Sequence, residues 1–516
     1  MRCHTPFSAT PATTMTDAPR VLLPMVLTVL LAVLSAACAS TPQLPANVSG
    51  CGTFFYGYEG QTGYTDIRHG DGSLRRQPKP PIFVGRSPFA QTQQPVMYDL
   101  LGAVNAVAAL DRPPITIDGT PTKTVNILVL SGGGQWGAYG AGFLTGWSLA
   151  RDTRDRPGAT AGAPFGRSEI DVITGISTGA MQAALVLPGS VDGDVDGIPA
   201  ETIRRKADCR LTREYTADTV QHLVKERSFF AFLGNPVSLY RMDGLEKRTY
   251  EGIAEFLDVY RGLPSRKRAY VGAVNLDDNL FYAIDMKAIA ERVPEDDAAG
   301  ACLAETVLAS AAIPLAFPPR QIEGELFVDG TTRSGLFWPT IMGYDALAQA
   351  LETGGLKLHV SVIINGNQSS RDFKSVQRDP NPDLFSIAES SSRIAIDQMF
   401  QDGVYWLENS LKSTIGEGDY LSRYTYLSNH DIQTSDDPDC VAARTNGKTE
   451  QFDPYFMRCA YKIGFARGRN QRTAWLQFDL MPGVTPAPKE DMALFGGRQE
   501  ADGALTCPYD LLPVQP

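Results

Sequence analysis

Val125-Asn126-Ile127-Leu128-Val129-Leu130 runs directly into Ser131-Gly132-Gly133-Gly134-Gln135-Trp136-Gly137, and farther on Asp171-Val172-Ile173-Thr174 runs into Gly175-Ile176-Ser177-Thr178-Gly179. Both leading stretches are short, apolar at consecutive positions and bounded by turn residues, the pattern of strands buried on both faces. A helical segment follows each turn, over 140–149 and over 180–187, the second ended by Pro188-Gly189. Strand, glycine turn and helix, repeated, predict an α/β fold with a mostly parallel sheet. Working outward, strands are expected at 269–274 paired with 279–284, at 326–328, at 358–364 and at 420–428. Helices are expected at 98–110 and 384–411.

The second turn has the form of a nucleophile elbow, so sharp that Gly175 and Gly179 flank a serine whose hydroxyl is left exposed. Taken alone, Ser177 reads equally well as a helix N-cap; its place between an apolar strand and an Ala-rich helix favours the nucleophile. The first turn presents backbone N–H groups at a helix start, where negative charge is stabilised. By itself it fits a structural turn, an oxyanion site or a nucleotide loop, since Gly132, Gly134 and Gly137 also satisfy G-x-G-x-x-G. No Lys-Ser or Lys-Thr follows it, and Asp152 and Asp155 lie in the charged run 151–156 rather than at the end of a second strand. The serine downstream tips the balance toward an oxyanion site and acyl transfer.

A serine nucleophile needs a base. The histidines are His4, His69, His222, His359 and His430; none stands in a motif, and His359 sits inside an apolar strand-like run. Asp329, in Phe327-Val328-Asp329-Gly330, is the better candidate: a carboxylate at the end of an apolar strand, at the edge where ligands collect in parallel sheets. Burial has to raise its basicity, and an Asp-Gly hairpin turn is the competing reading.

Gly132 to Gly137, Gly175 to Gly179 and Asp329-Gly330, in that order, resemble the patatin-like phospholipase family, as does Ser310-Ala311-Ala312-Ile313-Pro314 with Phe317-Pro318-Pro319. The resemblance spans about 124–340. It implies a three-layer α/β/α core and a Ser-Asp dyad without histidine: Ser177 as nucleophile, Asp329 activating it, and amides around Gly132, Gly133 and Gly134 as oxyanion hole. Gly137, Gly175, Gly179 and Gly330 support these motifs, and neither cofactor nor metal is called for. The implied activity is hydrolysis of lipid carboxylic esters, with phospholipid or another lipid ester as substrate and a membrane surface as partner. After Asp329 the chain reads Gly330-Thr331-Thr332-Arg333-Ser334-Gly335, where the family often has more glycine and an Asn-x-Pro. The competing class is a non-catalytic lipid- or nucleotide-binding envelope protein that keeps the loops as scaffolding.

Composition bounds the rest. With 43% apolar and 20% charged residues the chain is ordinary globular material, and a net charge of −11 argues against nucleic acid, whose phosphates need clustered Lys and Arg. Residues 21–37 carry no charge, follow Arg20 and end in Ser35-Ala36-Ala37 before Cys38, as in a secretory signal. Leu34 to Cys38 resembles a lipobox with Cys38 as lipidation site; Ser35 stands where an aliphatic residue is usual, so cleavage without lipidation stays open, and Met15 offers an alternative start. The expectation is an exported envelope protein, membrane-anchored or otherwise periplasmic or secreted. Export permits disulfides among Cys51, Cys209, Cys302, Cys440, Cys459 and Cys507. Cys440 with Cys459 is the expected pair, and Cys302, in an Ala-rich helical run, suits a buried free thiol.

The segments expected are a signal at 1–38, an N-terminal extension rich in Pro, Gly, Thr and Gln at 39–122, and a catalytic core at 123–345. The core's C-terminal part with helical additions follows at 346–480, then a surface tail at 481–516. Residues 189–210, polar and rich in Asp and Gly, read as a surface insertion or loop. The aromatic stretches Ser228-Phe229-Phe230-Ala231-Phe232-Leu233 and Leu336-Phe337-Trp338-Pro339 fit core packing or an acyl pocket, and Asp277-Asp278 fits a strand-to-strand turn rather than a metal site.

Overall fold

The computed structural model describes residues 44–51, 55–59, 64–68, 74–78, 82–83, 95–110, 112, 114–117, 120–150, 167, 169–191, 193–218, 223–227, 237–337, 344–366, 384–416, 418–445, 452–470, 474–476, 478, 489–496 and 498–512. The signal with Cys38 and Met15, the run 151–156, His4, His69, His222, the stretch 228–233, and Trp338 with Pro339 lie outside them. The chain divides into two compact units, Met1–Gln43 with Arg227–Val237, and Leu44–Glu226 with Ser238–Pro516. The sheet and the candidate site belong to the second.

Its sheet is built from β1 (Phe55–Glu59), β2 (Ile82–Phe83), β3 (Thr124–Leu130), β4 (Val172–Ile176), β5 (Arg268–Asn275), β6 (Phe281–Asp285), β7 (Arg320–Ile322), β8 (Glu325–Asp329), β9 (Lys357–Ile364) and β10 (Tyr420–Tyr426). The spatial order is β10-β9-β3-β4-β5-β6-β1-β2, with β8 also paired to β5, and β7 to β8. From β10 through β5 every pairing is parallel; from β5 through β2 every pairing is antiparallel. Strands β3, β4 and β5 are buried along their whole length, which is why they read as unbroken apolar runs.

Two apolar layers flank the sheet. Alternate residues of β3 part between them, Leu128 and Leu130 to one, Val125, Ile127 and Val129 to the other. The second layer takes helices α1 (Pro95–Ala109), α8 (Tyr344–Gly354) and α9 (Leu384–Ser410). The first takes α2 (Gly137–Ser148), α3 (Thr178–Val186), α4 (Ala200–Thr216), α5 (Asp243–Gly262), α6 (Met286–Arg292), α7 (Asp296–Ser310) and α10 (Pro454–Arg469). This is the three-layer α/β/α arrangement. Helices α2 and α10 cross backbone to backbone: a Cβ on Gly142 or Gly146 would overlap the carbonyls of Tyr461 or Phe465, and one on Gly464 or Gly468 those of Tyr139 or Phe143. No helix among the described residues is long and apolar enough to cross a membrane.

Three expectations fail here, each for an identifiable reason. The polar stretch 189–210 is not all loop: α4 begins at Ala200, and Ile203, Ala207, Leu211 and Tyr215, four residues apart, form its buried stripe under an otherwise charged surface. The tail does not merely run over the surface, because Phe495 and Leu505 are buried and Cys507 is bonded to Cys209. Cys302 is no free thiol either: it is bonded to Cys51, fastening the extension to α7, a pairing invisible in sequence because 251 residues separate the partners. Cys440 and Cys459 do pair. Asp277 and Asp278 make the expected turn, their carboxylates accepting from backbone amides of Leu326 and Leu280, and Leu336 and Phe337 are core, Phe337 packing on Phe281.

Candidate active site

The site forms where two strands meet end to end. β4 runs parallel to β5 and stops at Ile176, opposite Gly272; β8 approaches along the same edge of β5 from the other direction and stops at Asp329, opposite Ala273. Adjacent residues of β5 therefore hold the end of the elbow strand and the end of the aspartate strand in one line. The sequence reading placed Asp329 at the end of an apolar strand, where ligands collect in parallel sheets; β8 is antiparallel to its neighbours β5 and β7. Its position at the sheet edge stands, for the different reason that the two strand ends face each other.

Ser177 sits in the turn between β4 and α3 with φ 55° and ψ −123°, a strained backbone for a residue with a side chain. Close packing explains the flanking glycines: a Cβ on Gly179 would overlap the carbonyl of Leu130, and one on Gly175 the carbonyl of Gly179. The strained turn is pinned by Ser310 at the end of α7. The Ser177 amide donates to Ser310 Oγ at 2.9 Å, and Ser310 Oγ donates to the Gly272 carbonyl at 2.6 Å. Removing that hydroxyl in Ser310→Ala takes from the buried Ser177 amide this partner, at a cost of about 1–3 kcal/mol. With Ser177 as the nucleophile the sequence leads one to expect, the variant is expected to show a kcat for ester substrates lowered about tenfold or more with little change in KM, because that hydroxyl is displaced while the cavity is untouched.

Asp329 is fully buried. Its Oδ1 accepts from the Thr331 amide and the Thr331 hydroxyl, both at 2.8 Å. Oδ2 has no hydrogen bond of ordinary geometry from any described residue, although the Ser177 hydroxyl is near enough to draw the carboxylate's pKa down. Burial dominates and pushes Asp329 up to about 6, opposed by the Thr331 amide, the Ser177 hydroxyl and the Thr331 hydroxyl in that order. The free lone pairs and the raised pKa are what a carboxylate needs to act as a base near neutral pH.

The glycine loop closes over the same point. A Cβ on Gly132 would overlap the Thr331 methyl and lie 3.4 Å from Ser177 Cβ, so loop, elbow and the aspartate's partner are in contact. Gly133, at φ 146°, passes so close to the Asn365 carbonyl that no side chain fits. The amides of Gly132, Gly133 and Gly134 donate to no described residue, which leaves them free for an oxyanion. Gly137 lies against Thr178, and Gly330 against Gly272.

Several contributors were missed in sequence. Asn365, just past β9, binds Ser131 through its own amide (2.7 Å, to Oγ) and its side chain (2.9 Å, to the carbonyl), and also meets Gln182 of α3. Gln182 in turn donates to the Gly137 carbonyl at 2.7 Å. A polar residue directly after the apolar run 357–364 was the available signal for Asn365. Neither described histidine belongs here. His359 is buried in β9 with both ring nitrogens unpartnered among the described residues, and burial and Arg423 hold it well below its usual pKa. His430 is on the helix Asn429–Thr434.

A cavity of about 850 Å³, open mouth included, lies beside Ser177 and Gly134, with apolar walls that include Met181, Leu185, Ile253, Val307, Ile313 and Phe317. No cluster of metal-ligating side chains occurs among the described residues. Residues 128–339 match the family model of patatin-like phospholipase. No curated protein matches the chain.

Proposed function

For a chain carrying a patatin-like phospholipase domain, a family of lipid acyl hydrolases, we propose that Ser177 and Asp329 act as a catalytic dyad cleaving the carboxylic esters of lipids. The observation that carries this reading is the head-on meeting of β4 and β8 along β5. In the first step Asp329 takes the Ser177 proton as Oγ attacks the ester carbonyl, and the amides of Gly132, Gly133 and Gly134 receive the oxyanion. Collapse of the tetrahedral intermediate expels the alcohol, which takes the proton back from Asp329. Water, deprotonated by the same carboxylate, then cleaves the acyl-enzyme and regenerates Ser177. The apolar cavity beside Ser177 holds the acyl chain.

Exported, disulfide-dependent maturation belongs to the same proposal, with Cys38 as lipid anchor. It is supported by the lipobox-like Leu34 to Cys38 and by three disulfides that use all six later cysteines.

The test is labelling by a fluorophosphonate probe, which requires an activated serine. Mass spectrometry is expected to find the adduct on Ser177, and kcat/KM for a p-nitrophenyl ester is expected to climb with pH through about 6 as Asp329 becomes the free base. A protein that takes up no probe at any pH defeats the dyad.

A further inference from the structure

The cavity beside Ser177 has a direction and an end. Its walls come from α3, which starts at the serine turn, from α5, and from the C-terminal parts of α4 and α7. On α5 the residues that border it, Leu245, Arg248, Thr249, Gly252 and Ile253, recur at spacings of three and four, one face of the helix. Thr178, Met181 and Leu185 do the same on α3. Cross-contacts orient these stripes. The Tyr215 hydroxyl of α4 donates to the Thr178 carbonyl at 3.0 Å, so α4 ends beside Ser177. Helices α4 and α5 then run antiparallel, Glu214 pairing with Arg248 and Arg210 with Glu255. Leu245 accordingly lies toward Ser177, and Gly252 and Ile253 lie at the far end.

That end is closed and carries no charge to spare. Phe256 and Tyr260 continue the buried face of α5 but do not border the cavity, and the Tyr260 hydroxyl donates to the Ala184 carbonyl, drawing α3 and α5 together. Arg210 is held by Glu214 and Glu255, and Arg248 by Glu214, a matched set that braces α4 against α5. Gly252 is the odd residue. Glycine inside a helix is destabilising, so its place calls for a reason. Its φ is not positive, and a Cβ there would meet Arg210 and Leu185 only at 3.8 to 4.0 Å, an ordinary contact. The glycines where α2 crosses α10 are, by contrast, demanded by overlapping backbone. What the missing side chain leaves at Gly252 is room at the bottom of the cavity.

We propose that Gly252 sets the longest acyl chain the enzyme accepts: the chain follows α3 away from Ser177, and its methyl end lies between Gly252, Leu185 and Ile253. This rests on the ester-hydrolase reading above. Leu185 is eight positions beyond Ser177, about 12 Å along the helix, which an extended hydrocarbon covers in roughly eight to ten carbons. Each methylene up to that length finds apolar wall. A longer chain has to fold back or push Phe256 and Tyr260 aside in a close-packed core. The cavity is therefore one for medium-chain esters.

The experiment measures kcat/KM for the p-nitrophenyl esters of butanoate, hexanoate, octanoate, decanoate, dodecanoate and hexadecanoate, presented in identical mixed micelles so that differences in water solubility drop out. The unmodified protein is expected to hold its rate up to octanoate or decanoate and to lose about tenfold or more by hexadecanoate. Gly252→Leu fills the end of the cavity and is expected to lower the ratio of decanoate to butanoate turnover by about tenfold or more. A ratio within one preparation does not move when a variant is merely less stable. Should the leucine variant not fold, Gly252→Ala, whose Cβ fits at ordinary contact, is expected to shift the same ratio the same way by about threefold. If the unmodified protein cleaves hexadecanoate as well as decanoate, or if the variant that folds keeps the parent's ratio, the chain-length assignment is refuted and the hydrolase reading survives. No turnover of any ester overturns the hydrolase reading and this proposal with it.

Discussion

Ser177→Ala protein hydrolyses no p-nitrophenyl or lipid ester above the buffer rate, a loss of about ten-thousandfold or more if the serine is the nucleophile. The substitution removes little else. Alanine at φ 55° is as strained as serine, the amide still donates to Ser310, and the side-chain site is nearly closed to solvent, so the fold and its unfolding midpoint stay close to those of the parent. Ser177→Gly is the informative companion. It is equally inactive, yet it relieves the left-handed backbone and is expected to stabilise the protein by about 1 kcal/mol. Activity assays and thermal unfolding on the same preparations separate the two effects. Retained turnover in the alanine protein would remove Ser177 from the mechanism whatever the geometry around it.

Asp329→Asn is expected to trade activity for stability. Without a base the serine keeps its proton, and turnover falls by about ten-thousandfold. The stability change has a defined pH window. Burial lifts Asp329 to about 6, above the value near 3.8 of a free aspartate, so the folded state favours the protonated acid. The stabilisation from holding that proton is complete below about pH 4 and is lost as pH rises through 6. At pH 8 the buried carboxylate therefore costs about 3 kcal/mol, from roughly two pH units at 1.36 kcal/mol each. Asparagine keeps an oxygen for the Thr331 amide and hydroxyl but carries no charge. Denaturant unfolding is expected to show the variant more stable than the parent at pH 8 and equal to it at pH 4. The same difference at both pH values would mean that Asp329 is not a buried carboxylate with a raised pKa. A buried carboxylate that weakens the fold at working pH is the expected signature of a group placed for chemistry rather than packing.

Much of this site was legible beforehand because its chemistry is local in sequence. A serine between glycines after an apolar run, and a glycine loop after another, each announce a strand-to-helix turn through backbone constraints that act over a few residues. Other roles depend on partners that no local window contains. Ser310 opens a stretch that resembles the family's, but its part as the pin of the elbow is seen only when α7 brings it under Ser177. Asn365 gains its partners from Ser131 and Gln182, which lie far back along the chain. The glycines of α2 and α10 look like poor helix formers singly and make sense only as an interlocking pair.

By itself the sequence determined the alternation of buried strand and helix, the two glycine turns, and the choice of Ser177 and Asp329 from their neighbours. The strands, helices and turns follow from hydrophobic periodicity and from sterics that only glycine satisfies, whereas singling out Ser177 and Asp329 rested on the resemblance to the patatin-like phospholipases. The tertiary structure alone decided that β8 runs against β5 and meets β4 end to end, that Cys51 and Cys209 reach across to Cys302 and Cys507, and that Gly252 lies against Leu185 in the cavity wall. Strand direction, cysteine pairing and cavity depth depend on which distant segments share space, and that is settled by how the whole core packs, not by any window of residues.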